Sequence, residues 1–138
     1  MIRILLVEDS KFLRLATERA LTRAGYEVFS AEDGEQALRT ARAQLPDLIL
    51  LDMLLPKMSG PDVLKALKKD PFTSGVPVVV ISAMSQKNAA RLQEDGATGF
   101  LEKSLLEMDK GPDKLLAAVR EVASKIPRAD RESRVGDR

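Results

Sequence analysis

Five short apolar runs, each followed by a stretch with helical spacing, limit what this chain can fold into. Residues 3–7 (RILLV), 48–53 (LILLDM) and 76–83 (VPVVVISA) are nearly continuous Leu, Ile and Val rather than alternating patterns. A strand covered on one face alternates, whereas a continuous run marks a strand buried on both. Residues 27–31 form a more polar run, suited to a sheet edge, and 99–103 (GFLEK) a short fifth. Helical patterns lie between. Over 11–24, Leu13, Ala16 or Thr17, Ala20 and Ala24 recur at helix spacing, and Gly25 is placed to stop the helix. Asp33 with Gln36 three residues on reads as an N-cap opening a helix to about residue 43. Ser59 caps the next, with Pro61 in its first turn. Residues 86–95 form a short helix ending at Gly96, and 113–126 a last one with Leu115, Val119, Val122 and Ile126 inward. The pattern is (βα)5, an α/β fold with a doubly wound parallel five-stranded sheet, helices on both faces and right-handed crossovers.

The 138 residues suit one domain, with 44% hydrophobic and 31% charged residues, a globular balance. The expected domain is 1–126; the tail 127–138 carries seven charges and is expected to be flexible or to begin a linker. A net charge of +1 supplies no electrostatic reason to bind nucleic acid or an anionic membrane. The chain has no Cys and no His, which excludes disulfides, thiol chemistry and the common zinc sites. Proton transfer is left to carboxylates, Lys, Tyr or water. No window reaches transmembrane length and no apolar run follows a basic start, so the expectation is a cytoplasmic protein without a signal peptide.

In a doubly wound sheet, ligands bind beyond the carboxyl ends of the strands. There the first strand delivers the adjacent acids Glu8 and Asp9, the third Asp52, the fourth Ser82 and the fifth Lys103. Singly, each is an ordinary polar loop residue. Together they put three acids, a hydroxyl and an amine on one rim. Carboxylates so crowded must raise a pKa or hold a cation. An all-oxygen donor set favours a hard, partly hydrated ion such as Mg2+. Mg2+ beside Asp52 suits phosphoryl transfer to a carboxylate, with Lys103 and Ser82 available to the phosphoryl oxygens.

The segments "LLVEDS", "DLILLDMLLPKMSG", "VPVVVISA" and "GATGFLEK", in this order and spacing, resemble the receiver domain of two-component response regulators over about residues 1–126. The resemblance implies the flavodoxin-like strand order 2-1-3-4-5. It makes Asp52 the phosphoacceptor, Asp9 a direct Mg2+ ligand, Glu8 a ligand through water, and the Leu54 backbone carbonyl the third protein ligand. Ser82 and Lys103 match the phosphoryl-binding hydroxyl and lysine, and Phe100 the switching aromatic. Leu54 and Met84 match rim positions that tune phosphoryl lifetime; both are apolar, which implies slow hydrolysis. Pro56 and Gly60 match the loop after the phosphoacceptor. The implied partners are a sensor histidine kinase or phosphotransfer protein and a downstream protein on the face built by the 86–95 helix, the fifth strand and the last helix. A phosphorylation-dependent dimer is a further option, and neither nucleic acid nor membrane is implied. The chain would be a switch rather than an enzyme acting on an outside substrate.

Two features depart from the family pattern. Lys103 precedes Ser104, where the family usually has Pro and a cis bond; a cis non-proline bond costs ~2.5–4 kcal/mol, so the bond is either strained or trans with the amine placed differently. The link "SLLEMDKGPDK" is also longer than usual. A degenerate receiver acting as a constitutive interaction module is the main alternative. An aspartate-nucleophile phosphohydrolase commonly needs a second acid two residues on, where this chain has Leu54. No Gly-rich phosphate loop follows the first strand, which disfavours a nucleotide-binding site.

Overall fold

The computed structural model describes residues 1–82, 93–102 and 112–126. Its elements are β1 (Arg3–Val7), α1 (Lys11–Arg23), β2 (Glu27–Ala31), α2 (Gly34–Gln44), β3 (Leu48–Asp52), α3 (Gly60–Lys69), β4 (Val78–Ser82), β5 (Gly99–Glu102) and α4 (Asp113–Ser124). The five strands are parallel, as the α/β reading requires, and lie in the order β2-β1-β3-β4-β5 that the family resemblance implies. The helix expected over 86–95 lies mostly outside the described residues.

Successive side chains on a strand point to opposite faces, and the two cores follow this alternation. Leu5, Val7, Ile49, Leu51, Val78 and Val80 pack under α2 and α3 against Ala37, Ala41, Val63, Leu64 and Leu67. Ile4, Leu6, Leu48, Leu50, Val79 and Ile81 pack on the other face against Leu21 of α1 and Leu115, Val119 and Val122 of α4. This double coverage is why β1, β3 and β4 read as unbroken apolar runs. Strand β2, at the edge, shows only Ala31 fully buried, in keeping with its more polar sequence.

Most helix ends match their signals. Tyr26 N–H donates to Leu21 O at 3.1 Å and Gly25 N–H to Thr22 O at 3.0 Å, with Gly25 at φ +100°. This paired bond pattern is the glycine stop expected after α1. The Asp33 and Ser59 side chains accept from Gln36 N–H and Asp62 N–H as N-caps. The end of α2 has no glycine; Leu45 takes the left-handed conformation instead, at φ +47°.

The buried stripe of α1 differs from the expected one. Ala24 is exposed, as is Ala16 while its alternative Thr17 is half-buried, and Leu13 and Ala20 are only half-buried; the buried residues are Arg14 and Leu21. The helix is turned so that a guanidinium, not an alanine, faces inward near its start. On α4 the inward set is Leu115, Val119 and Val122, with Ile126 just beyond the helix and half-buried.

Candidate functional site

Strand register assembles the site. Val7 lies opposite both Ala31 and Leu51, so the next residue along each segment, Glu8, Glu32 and Asp52, reaches the rim at one level. Asp52 is opposite Ile81, which puts Ser82 one step beyond it on β4. A one-residue slip would carry every core side chain to the wrong face, so packing fixes this register strongly. Carboxylate oxygens of Glu8, Asp9 and Asp52 all lie within 4.8 Å of one another. At that separation each pair of charges repels by on the order of 3 kcal/mol at an effective dielectric near 20.

Asp52 and Glu8 are buried, at 1% and 5% exposure, and Asp9 is exposed. Burying a carboxylate is costly unless hydrogen bonds replace water. Leu54 N–H donates to Asp52 Oδ1 at 3.0 Å, and Ser10 N–H at the start of α1 donates to Glu8 Oε2 at 3.1 Å. Met53 N–H donates to Ile81 O at 2.9 Å, so the strand pairing continues one residue past Asp52. The Ser82 side chain is buried at the end of β4.

Phe100 is not at the rim. It lies within β5 opposite Val80, half-buried against the core under α2 and α3. Leu54, beside Asp52, is 77% exposed. Lys103, Ser104 and Met84 lie outside the described residues.

The family described as "Response regulator receiver domain" matches residues 4–120. The chain belongs to that family. Response regulator PleD of Caulobacter vibrioides is 44% identical over 105 residues, covering 75% of this receiver and 23% of PleD. The probable transcriptional regulator ycf27 of Porphyra purpurea is 34% identical over 130 residues, covering 94% of the receiver and 49% of ycf27. The receiver thus spans a quarter to a half of these relatives. Among solved structures, chemotaxis response regulator CheY4 of Vibrio cholerae superposes with a TM-score of 0.80 at 31% identity, over 88% of this chain and 98% of CheY4. Response regulator TrrA of Thermotoga maritima, solved in complex with Mg(2+)-BeF, gives 0.76 at 29% identity, over 88% and 99%. No helix among the described residues is long and apolar enough to cross a membrane.

The receiver's donor set fits a hard divalent cation. Its acids offer only oxygen, two of them are held in place by backbone N–H groups, and the exposed Asp9 leaves a side open for retained waters.

Two polar residues around this site were not legible as part of it. Arg14, buried on α1, donates through Nη1 to Glu8 O at 3.0 Å and Asp9 O at 3.4 Å, and its Nη2 pairs with Glu32 Oε1 at 3.1 Å. Arg14 falls outside the stripe marked by the helical spacing, so nothing in the sequence placed it inward. Lys57, in the loop after Asp52, has φ +68°, and Met58 N–H donates to Pro56 O at 2.7 Å across it. Its Nζ lies 3.5 Å from Asp33 Oδ2. The Gln36 N–H bond, aided by Lys57, holds the Asp33 carboxyl below its usual 3.8. A lowered acid stabilises the fold above its unfolded pKa and loses that contribution as pH falls through the folded value. Asp33→Asn is therefore expected to melt below wild type at neutral pH, with the gap closing as the pH falls below 3.8, read by thermal melts across pH.

Proposed function

We propose that this receiver takes a phosphoryl group from the phosphohistidine of a histidine kinase or phosphotransfer protein onto Asp52, and that the modified aspartate switches a protein-interaction face. The observation that carries the reading is the meeting of Glu8, Asp9 and Asp52 within 4.8 Å, with Asp52 almost wholly buried and held by Leu54 N–H. An Asp52 oxygen forms the new O–P bond as the donor's P–N bond breaks; the imidazole leaves with the electron pair and takes a proton from water. Leu54 N–H, bonded to Oδ1, sets the rotation of the carboxylate before attack. Asp9, Asp52 and the Leu54 carbonyl would hold Mg2+ directly in this reading and Glu8 through water, and the ion would supply charge neutralisation for the transferring group. The Ser82 hydroxyl and Lys103 take phosphoryl oxygens. Movement of Ser82 opens room for Phe100 to turn inward, a local charge event that biases a two-state surface.

The receiver acts here as a cytoplasmic switch, not as an enzyme on an outside substrate. Residues 1–126 form the switching unit, and 127–138 serve as a charged tail or the start of a linker. The output is a protein contact on the face that includes β5 and α4, with dimerisation as one form of it.

Incubation with acetyl phosphate and Mg2+ tests the reading. The chain is expected to gain the mass of one phosphoryl group, and chelation of Mg2+ to prevent the gain. A chain that binds Mg2+ yet never gains the group would be a constitutive module instead.

Lifetime gives a second measurable outcome. The exposed Leu54 side chain cannot orient a water toward the phosphoryl group. Leu54→Gln is expected to speed loss of the label several-fold, followed by mass over time; an unchanged decay removes Leu54 from any rate-tuning role.

A further inference from the structure

Arg14 and Lys57 stand at the two ends of a polar chain that crosses three loops of the rim. Arg14 grips the backbone carbonyls of Glu8 and Asp9 and reaches across to Glu32, just after β2. Glu32 N–H donates to Gln36 Oε1 at 2.8 Å, and Gln36 N–H donates to Asp33 Oδ1 at 2.8 Å. Asp33 Oδ2 then meets Lys57, two residues before Ser59 caps α3 and five after Asp52. The turn at 32–33 is thereby tied on one side to the Glu8 and Asp9 backbone and on the other to the loop that follows Asp52.

We propose that Arg14 and Lys57 are positioning residues which, through this turn, set the separation of Glu8 and Asp9 from Asp52 and so the affinity of the site for its divalent cation. The proposal rests on the reading of these acids as a Mg2+ site. Neither cation touches a carboxylate of the cluster in the contacts above; Arg14 acts on carbonyls and Lys57 on Asp33. Arg14 suits the role because its planar fork reaches two carbonyls from one nitrogen and a carboxylate from the other, whereas an ammonium offers its donors from a single point. Outer partners that orient ligands govern metal affinity strongly, with losses on the order of 10–100-fold on mutation.

The sign of the effect separates positioning from simple charge. Deleting a positive residue near a cation site, by through-space electrostatics alone, tightens Mg2+ binding. Loss of a brace weakens it. Calorimetric Mg2+ titration of the full chain is expected to show Arg14→Gln weaker than wild type by about tenfold. Arg14→Lys, which keeps the charge, is expected to fail to restore it. Lys57→Met is expected to weaken binding by a smaller factor, since its ion pair is partly exposed, and Lys57→Arg to restore it. Thermal melts without Mg2+ run alongside. Arg14→Gln that melts lower but binds Mg2+ within about twofold of wild type, or tighter, overturns the proposal and leaves Arg14 a purely structural residue. Should Arg14→Gln not fold, the exposed Lys57 pair decides: unchanged or tighter binding in Lys57→Met overturns it. Wild type that binds no Mg2+ overturns the metal-site reading and the brace together, whereas normal wild-type binding with unaltered variants overturns the brace alone.

Discussion

Asp52→Asn is expected to gain no phosphoryl group from acetyl phosphate under conditions where wild type is fully modified, a loss of at least about a hundredfold. The substitution keeps the shape of the side chain and an oxygen for the Leu54 N–H bond, so the backbone around it is expected to hold. What it removes is the charged nucleophile: a neutral amide oxygen does not displace a phosphoryl leaving group at a useful rate. It also removes one of three mutually repelling charges. Without Mg2+, the variant is therefore expected to melt no lower than wild type, and Mg2+ to raise its melting temperature less, because a site that binds the ion more weakly gains less from it. The two readouts divide the alternatives. Equal labelling of wild type and variant would place the modification elsewhere and sink the assignment of Asp52. A wild type that releases phosphate continuously without holding label would point to a hydrolase.

Much of this was written in the apolar runs. Strands β1, β3 and β4 are covered on both faces, so their sequences carry the burial signal at nearly every position, and their ends could be placed closely enough to bring Glu8, Asp9 and Asp52 to one rim. Helices carry the signal on one stripe only, and α1 shows how that goes astray. Small alanines fit the helical period, yet Ala16 and Ala24 face solvent, because an alanine loses little by exposure. Arg14 was invisible for the opposite reason: a guanidinium in a stripe reads as surface until the carbonyls of Glu8 and Asp9 and the carboxylate of Glu32 are seen around it. The left-handed Leu45 that ends α2 was equally unreadable, since that conformation runs against the preference of a residue with a Cβ. The same limit applies to Lys57, whose positive φ serves the turn after Pro56 and not any preference of lysine.

Gly60→Ala is expected to be the most destabilising single-methyl change in the rim, costing about 3 kcal/mol and lowering the melting temperature by about 10 °C. The physical cause is backbone against backbone. A Cβ at Gly60 would stand 2.3 Å from Met53 Cα, 2.7 Å from Met53 O and 2.8 Å from Met53 C. A flexible side chain can swing aside from such a contact; a peptide unit cannot. Gly60 N–H also donates to Met53 O at 3.1 Å, closing the loop that leaves Asp52 back onto the start of α3. Relief therefore requires opening that loop, which shifts the Leu54 N–H away from Asp52 Oδ1 and the Leu54 carbonyl with it. The variant is expected to lose stability and Mg2+ affinity together, in contrast to Asp52→Asn, which keeps the fold. Gly75→Ala is the control, since nothing lies within 4 Å of a Cβ there; it is expected to melt at or slightly above wild type. Equal melting temperatures for Gly60→Ala and Gly75→Ala would mean that the loop after Asp52 yields without cost, and that the glycine at the start of α3 does not hold the phosphoacceptor segment in place.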